Sequence, residues 1–303
     1  MKNSAKPMRG KICMVTGATS GIGLATARAL ARMGATTIVV GRNPQKCERV
    51  SKRIRAETEN PEIEWMLADL SCQKDILCLA EQFKARYDRL DVMVNNAGAR
   101  FLTRCTTVDG IEMTLSLNHL AYFMLCQLTL EQLKASDGGR IVNVASEAHR
   151  GATINFDDIQ YAESYVGKQA YSQSKLANIL FTYELAGRLN NSGVTVNAMA
   201  PGNVFTNFSR NNGWISWAKH VVSSLLARNL VGPNKGADTV VYLATAPEAD
   251  NVSGKYFINR KQVPSSPASY DQENSKRLWD VSLRLTTPQT GARNQYVASS
   301  KSI

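Results

Sequence analysis

Tyr171 and Lys175 are the two residues of this chain whose types and spacing best suggest chemistry. They lie four positions apart in the segment AYSQSKLAN, which spans residues 170–178. Residues four apart share one face of a helix. A tyrosine hydroxyl has an ordinary pKa of about 10, and a nearby ammonium group lowers that pKa. The pair therefore predicts a proton donor and acceptor that works near neutral pH, as hydride transfer requires.

A glycine-rich segment follows the first predicted strand and opens the first predicted helix. Glycines allow a tight turn and a close approach of the backbone to a pyrophosphate, and the free N–H groups of the helix start bind phosphate. This context favours a dinucleotide site over an ordinary strand–helix turn. The candidate residues are Gly17, Thr19, Ser20, Gly21, Ile22 and Gly23.

Gly41, Arg42 and Asn43 stand at the end of the second predicted strand. NAD-binding proteins usually place an acidic residue here for the ribose 2′-hydroxyl, whereas NADP-binding proteins place an arginine for the 2′-phosphate. Gly41 and Arg42 offer no acid and one guanidinium group, which favours NADP(H) over NAD(H). The alternative is that Arg42 is only a surface charge.

Small and polar residues also end two later strands. Asn96, Ala97 and Gly98 follow the fourth strand, where small side chains leave room for a cofactor. Ser146 follows the buried fifth strand, where its hydroxyl could bond to a substrate oxygen. Taken alone, Ser146 would also fit a helix cap or a turn.

Short apolar runs alternate with longer amphipathic stretches along the chain. Alternation of this kind predicts a doubly wound α/β (Rossmann) fold with a mostly seven-stranded parallel sheet flanked by helices. The predicted strands are 12–16, 37–40, 63–68, 92–95, 140–145, 194–198 and 256–258, and the predicted helices are 22–33, 44–58, 73–87, 110–135, 168–190 and 235–245. We predict one catalytic domain over 1–303, with a core at about 8–260 and a mobile tail at about 286–303.

Composition bounds the remaining possibilities. The formal net charge is +11, and six basic side chains lie between residues 42 and 55, but no nucleic-acid-binding module accompanies this charge. The six cysteines form no Cys-x2-Cys pair and the three histidines do not cluster with them, so we predict no metal site. No signal peptide and no run of 18 apolar residues is present, and we expect a cytoplasmic protein.

The motifs together resemble those of the classical short-chain dehydrogenase/reductases over residues 8–260. They are residues 16–23, Asp69-Leu70, residues 95–98, Asn118, Ser146, Tyr171 with Lys175, and Pro201-Gly202, in this order. A narrower resemblance is to the retinol dehydrogenase and WW-domain oxidoreductase group. It rests on the 24 residues between Ser146 and Tyr171, the insert at 154–159, and the segments LNHL (117–120), SEAH (146–149) and Leu278-Trp279.

This resemblance implies roles for individual residues. Tyr171 would exchange a proton with the substrate oxygen, Ser146 would hold that oxygen, Lys175 would bind the nicotinamide ribose, and Asn118 would hold a water that links Lys175 to solvent. The remaining implied cofactor contacts are Asp69 and Leu70 to the adenine, Asn96 and Ala97 to the ribose, and Pro201, Gly202, Val204 and Thr206 beside the nicotinamide.

The expected function is an NADP(H)-dependent oxidoreductase that interconverts an alcohol and an aldehyde or ketone. Residues 203–233 hold aromatic and aliphatic side chains after a strand end, which favours a bulky apolar substrate, although this segment would also fit core, a subunit contact or a peripheral membrane contact. Alternatives are a carbonyl reductase or tailoring enzyme of secondary metabolism and a non-catalytic dinucleotide-binding scaffold. A homodimer or homotetramer is compatible with the resemblance.

Overall fold

The computed structural model describes residues 6–202 and 231–287. Val204, Thr206 and most of the predicted substrate segment 203–233 lie outside these residues, as does nearly all of the predicted tail. The strands are β1 (Ile12–Thr16), β2 (Thr36–Gly41), β3 (Ile63–Leu67), β4 (Val92–Asn95), β5 (Arg140–Val144), β6 (Thr195–Ala200), β7 (Lys255–Ile258) and β8 (Lys261–Gln262).

Helices connect these strands in the described residues. They are α1 (Gly21–Arg32), α2 (Pro44–Thr58), α3 (Gln73–Lys84), α4 (Met113–Leu115), α5 (Ala121–Leu128), α6 (Leu130–Lys134), α7 (Gly167–Arg188), α8 (Pro233–Thr245) and α9 (Gln272–Thr286), with a π-helical turn at Ser116–Leu120 and 3-10 turns at Glu147–His149, Pro247–Ala249 and Pro267–Tyr270.

The sheet has the order β3-β2-β1-β4-β5-β6-β7-β8, which confirms the predicted doubly wound fold. Strands β1 to β7 are parallel, and β8 pairs antiparallel with β7. The strands β1 to β3 are added toward one edge of the sheet, and β4 to β7 are added on the other side of β1 toward the opposite edge. In such sheets ligands bind at the carboxyl ends of the strands where the order changes, here β1 and β4. The additional strand β8 is only Lys261–Gln262, both exposed, so no apolar pattern marks it in the sequence.

Two hydrophobic layers cover the two faces of the sheet. Met14 of β1 faces a layer that includes α3, α5 and α7, whereas its neighbours Cys13 and Val15 face a layer that includes α1, α2 and α8. This alternation follows from the two-residue period of a strand. The central strands are buried on both faces, which is why they appear in the sequence as continuous apolar runs.

Helix α9 is absent from the helices predicted from the sequence. Trp279 in its middle is 4% exposed, and its ring centroid lies 5.0 Å from that of Phe123 and 6.1 Å from that of Phe181. The buried face of α9 also contains Ser282 and Thr286, whose hydroxyl groups bond back to helix carbonyls. The sequence of α9 is nevertheless amphipathic, and the helix packs into the main core through Trp279, so the prediction omitted a helix that the sequence does indicate.

The predicted helix 110–135 is interrupted by the π-helical turn Ser116–Leu120. At its end the Ala121 N–H donates to the Ser116 carbonyl, five residues back. Asn118 and His119 are adjacent and fully buried, yet they serve different neighbours. His119 Nε2 lies 2.9 Å from Ser282 Oγ of α9, whereas Asn118 bonds to the loop after β4. Such π-helical turns occur often at functional sites.

Two kinds of feature are absent from the described ranges. No helix in 6–202 or 231–287 is long and apolar enough to cross a bilayer. Within the same ranges, no group of three or more His, Cys, Asp or Glu side chains is arranged to hold a metal ion. Cys13, Cys47 and Cys126 are buried thiols, whereas Cys78 and Cys105 are exposed.

Candidate active site

Tyr171, Lys175 and Ser146 meet at the carboxyl edge of the sheet. Lys175 is 3% exposed, and its Nζ donates to the Val144 carbonyl at 2.9 Å and lies 5.7 Å from the centre of the Tyr171 ring. Ser146 stands two residues beyond Val144, and its hydroxyl makes a hydrogen bond with Tyr171. The helical spacing of the pair and the end of β5 therefore converge as the sequence predicts.

The protonation states at this site depend mainly on burial. Burial raises the pKa of Tyr171 to about 12, against the opposing effects of the Ser146 hydrogen bond and the Arg100 charge. Burial also lowers the pKa of Lys175 to about 7. The sequence-based expectation that Lys175 lowers the tyrosine pKa is therefore wrong for this structure, because burial disfavours the charged form of both groups.

Asn118 fastens the loop after β4 to helix α7. Its Oδ1 accepts from the Ala99 N–H at 2.9 Å, and its Nδ2 donates to the Ala99 carbonyl at 2.9 Å and to Ser174 Oγ at 3.0 Å. Ser174 Oγ in turn donates to the Tyr171 carbonyl at 2.7 Å. The Asn118 side chain thus ties the loop to the helix turn that carries Tyr171, and its contact with a water stays a prediction.

Gly98 and Tyr122 form the surroundings of the lysine. A Cβ atom on Gly98 would lie 3.1 Å from Asn118 Oδ1 and 3.6 Å from Lys175 Nζ, so a side chain here would crowd both groups. The Tyr122 ring centre is 5.8 Å from Lys175 Nζ on another side, and its hydroxyl donates to the Ala97 carbonyl at 2.9 Å. Sequence reasoning missed Tyr122 because it lies in an apolar helical run.

Helix α7 is held against the sheet by buried polar side chains. Asn95 Nδ2 of β4 donates to Asn143 Oδ1 of β5 at 2.9 Å, and Asn143 Nδ2 donates to Thr182 Oγ1 of α7 at 2.9 Å. Because hydrogen bonds in a buried site require defined geometry, this chain fixes the helix relative to the strand ends.

The long connection between Ser146 and Tyr171 packs against helix α7. Gln173 Oε1 accepts from the Asn155 N–H at 2.9 Å, and Gln173 Nε2 donates to the Ile159 carbonyl at 3.0 Å. Ile154, Phe156 and Ile159 pack against the cluster of Leu176, Leu180 and Leu278. The insert noted in the sequence is therefore part of the support of the catalytic helix.

The glycine-rich segment forms a close-packed cradle at the same edge. Gly17 has a φ of 63°, and a Cβ there would lie 2.9 Å from the Ala97 Cα atom. A Cβ on Gly23 would lie 2.5 Å from Asn96 Nδ2, which donates to the Thr16 carbonyl at 2.8 Å. Only glycine permits this contact between the first loop and the loop after β4.

The start of α1 is suited to an anion. Among the described residues, the Ser20 side chain caps no N–H group of the helix, and the first turn contains no acidic side chain. The free N–H groups and the positive end of the helix dipole can therefore face a phosphate. These observations fit the pyrophosphate of a dinucleotide. Ser20 is exposed here, and Thr19 and Ile22 are partly buried.

The other predicted cofactor residues occupy neighbouring strand ends. Arg42 is exposed after β2, and Asn43 Oδ1 accepts from the Lys46 N–H at 2.8 Å as the N-cap of α2. Asp69 Oδ1 accepts from the Ser71 N–H at 3.0 Å, and Leu70 is buried in the core. Pro201 and Gly202 follow β6. The structure brings these positions to one edge, except for Val204 and Thr206, which lie outside the described residues.

Comparisons with known proteins agree with this geometry. A family model described as short chain dehydrogenase matches residues 11–213. The human protein Retinol dehydrogenase 13 is 42% identical over 279 residues, covering 91% of this chain and 84% of that protein. Human Polyprenol dehydrogenase is 37% identical over 287 residues, covering 92% of this chain and 86% of that protein.

The fold has similar solved relatives. The crystal structure of an uncharacterised protein from Mycobacterium paratuberculosis superposes with a TM-score of 0.74 at 30% identity and covers 92% of this chain and 95% of that one. Sequence and structure thus agree: the chain belongs to the short-chain dehydrogenase family, it resembles retinol dehydrogenases within that family, and its fold binds a nicotinamide dinucleotide.

Proposed function

We propose that this protein is an NADP(H)-dependent oxidoreductase that interconverts an alcohol and an aldehyde or ketone on a bulky apolar substrate. The observation that carries the proposal is the convergence of Tyr171, Ser146 and Lys175 at the carboxyl edge of the sheet. The bound nicotinamide would supply or accept the hydride. Membership of an oxidoreductase family supports the same reaction class.

The side chains of the site have distinct tasks in this proposal. A Tyr171 hydroxyl whose pKa is about 12 is protonated at neutral pH, which is the form that donates a proton to a carbonyl oxygen during reduction. The Ser146 hydroxyl holds that oxygen, and Lys175 binds the nicotinamide ribose. Asn118 keeps the loop after β4 and the Tyr171 turn together and holds the water that links Lys175 to solvent.

The preference for NADP(H) rests on the surroundings of Arg42. Arg42 is exposed beyond β2, and the first turn of α2 contributes no acidic side chain that would repel a 2′-phosphate. A guanidinium group binds a phosphate through charge-assisted hydrogen bonds. Arg42 would therefore bind the 2′-phosphate of NADP(H).

An apolar rim supports the proposed substrate class. Leu102 is 48% exposed in the loop after β4, and Val166 is 46% exposed directly before α7. They are neighbours because Gly167 packs directly on the backbone of Phe101 and Leu102. Two relatives are named for retinol and polyprenol, which are long apolar alcohols, and this agrees with the character of the rim.

The test is a Tyr171→Phe variant assayed by NADPH absorbance with retinal, a polyprenal and a panel of small ketones, with NADH as the cofactor control. We expect a loss of turnover of roughly a hundredfold or more, because a general acid usually contributes that much. NADPH binding should be retained. Tyr242→Phe removes the same hydroxyl from α8, on the other face of the sheet, and should not change turnover. Near wild-type turnover in Tyr171→Phe would refute the mechanism.

A further inference from the structure

His149 lies between the catalytic serine and a distant segment of the chain. It ends the 3-10 turn Glu147–His149 that Ser146 begins, and it is fully buried. Its Nδ1 is 2.6 Å from the Ser146 carbonyl oxygen, and its Nε2 is 3.1 Å from the Ser266 backbone nitrogen. The ring also meets Tyr256 of β7 edge-on, with 5.1 Å between ring centres.

These two contacts define the tautomer of His149. The Ser266 N–H can only donate, so Nε2 accepts and the proton is on Nδ1, which donates to the Ser146 carbonyl. Burial lowers the pKa of His149, which favours this neutral form. The imidazole therefore joins the backbone of Ser146 to the backbone of Ser266 through one donor and one acceptor.

The far end of this connection is anchored on helix α7. Ser269 Oγ donates to the Ser266 carbonyl at 2.6 Å and lies 2.6 Å from Ser265 Oγ. Ser265 Oγ is in turn 2.7 Å from the Tyr183 hydroxyl. Tyr183 belongs to the same helix as Tyr171. The turn after Ser146 is thus connected to helix α7 by a series of hydrogen bonds, in addition to its covalent connection to β5.

The orientation of the Ser146 side chain depends on the same short turn. Ser146 Oγ accepts from the Ala148 N–H at 3.1 Å, which leaves its own proton available to a partner at the site. A rotation of the Ser146 peptide would move Oγ relative to Tyr171. The Nδ1 bond of His149 to the Ser146 carbonyl opposes that rotation.

We propose that His149 is a positioning residue that sets the Ser146 hydroxyl against Tyr171 by holding the Ser146 carbonyl and the Ser266 N–H together. This inference rests on the proposed function, because it assumes that Ser146 holds the substrate oxygen. His149 does not touch the reacting atoms. It acts only through the geometry of Ser146.

The first test compares two amide variants of His149. In His149→Asn the amide nitrogen takes the place of Nδ1 and can still donate to the Ser146 carbonyl, whereas in His149→Gln the amide oxygen takes the place of Nε2 and can still accept from Ser266. We expect kcat with retinal and NADPH to fall roughly tenfold or more in the Gln variant, because small misplacements at a reacting centre are costly. The Asn variant keeps the bond to the Ser146 carbonyl but loses the bond from Ser266, so its loss of kcat should be smaller and similar to that of a variant without the Ser266 N–H. KM and the NADPH dissociation constant should change little in both.

A double-mutant cycle with Ser146→Ala separates positioning from general structural damage. If His149 acts through the serine, His149→Gln should not lower kcat further once Ser146 is alanine. An equal loss in both backgrounds, or equal kcat values for the Asn and Gln variants, would overturn the inference. Wild-type kcat in Ser146→Ala alone would instead refute the proposed role of the serine.

The second test leaves His149 intact. Ser266 has a φ of −74°, which proline adopts, so Ser266→Pro removes the N–H donor and directs the proline Cδ atom at His149 Nε2, which breaks the connection. Ser266→Ala is the matched control because it keeps the N–H, and the Ser266 hydroxyl has no hydrogen-bond partner within the described residues. We expect a several-fold loss of kcat in the proline variant only. Equal kcat in the two Ser266 variants would contradict the role of the Ser266 N–H in positioning Ser146. This test applies even if the His149→Gln variant does not fold.

Discussion

Replacing Lys175 by methionine should make the folded protein more stable at neutral pH while abolishing its activity. Burial lowers the pKa of this lysine from 10.5 to about 7, and the side chain is only 3% exposed. The unfolded chain therefore binds more protons than the folded protein at neutral pH. The stability of the wild type must then rise as the pH rises from 7 toward 10.5.

The magnitude follows from this shift in pKa. At about 1.36 kcal/mol per pKa unit, the buried lysine costs roughly 4 kcal/mol of unfolding free energy near pH 7 and roughly 2 kcal/mol near pH 9. Methionine fills a similar volume without charge, but it leaves the Val144 carbonyl without the lysine bond, which costs about 1–3 kcal/mol at either pH. We expect a net stabilisation of about 1–3 kcal/mol near pH 7 that shrinks by about 2 kcal/mol near pH 9.

Urea unfolding of the wild type and of Lys175→Met at these two pH values measures the effect, without added cofactor. Lys168→Met removes an exposed lysine from the same helix and controls for loss of a charge; its difference from the wild type should be the same at both pH values. A difference between the wild type and Lys175→Met that does not change with pH would refute the reasoning, because the lysine would then be fully charged in the folded protein.

Three further substitutions test other parts of the structure. Arg42→Asp should shift the NADP(H)/NAD(H) preference at least roughly tenfold toward NAD(H), because it replaces an attraction to the 2′-phosphate with a repulsion. The control Arg49→Asp on α2 should leave the preference unchanged, and an unchanged preference of Arg42→Asp in steady-state kinetics would refute the binding of the 2′-phosphate by Arg42. Gly167→Ala should lower the free energy of unfolding by about 1–3 kcal/mol, because the added Cβ would meet the Phe101 carbonyl. Gly187 has open space around it in the described part of the chain, so Gly187→Ala should be neutral or stabilising by up to about 1 kcal/mol, and equal effects of the two substitutions would contradict the packing argument. Trp279→Ala should cost about 3–5 kcal/mol in urea unfolding, and a loss below about 1 kcal/mol would mean that α9 is not part of the core.

Local patterns predicted most of the fold and the position of the site. The parallel strands are buried on both faces, so their apolar runs stand out, and their carboxyl ends gather the glycine-rich segment and Ser146. The four-residue spacing of Tyr171 and Lys175 correctly predicted a shared helix face. These features depend on periodicity along the chain and on the regular geometry of parallel sheets.

Features that arise from long-range packing were not predictable. The π-helical turn depends on partners far away in the sequence, as in the bond between His119 and Ser282. The protonation states of Tyr171 and Lys175 depend on how completely the fold removes water from them, which spacing does not reveal. His149 could be noticed only as part of a family-like segment, because its partner Ser266 is 117 residues away.

The π-helical turn makes room for one residue more than a regular helix would hold. Four residues of a regular α-helix turn through about 400° and rise about 6 Å, and the wide turn at Ser116–Leu120 accommodates a fifth residue over nearly the same rotation. Deleting one residue within this turn would therefore leave Tyr122 beside the lysine and Phe123 beside Trp279. It would remove the arrangement by which the adjacent Asn118 and His119 reach different neighbours, so we expect such a deletion to impair the site while the protein still folds.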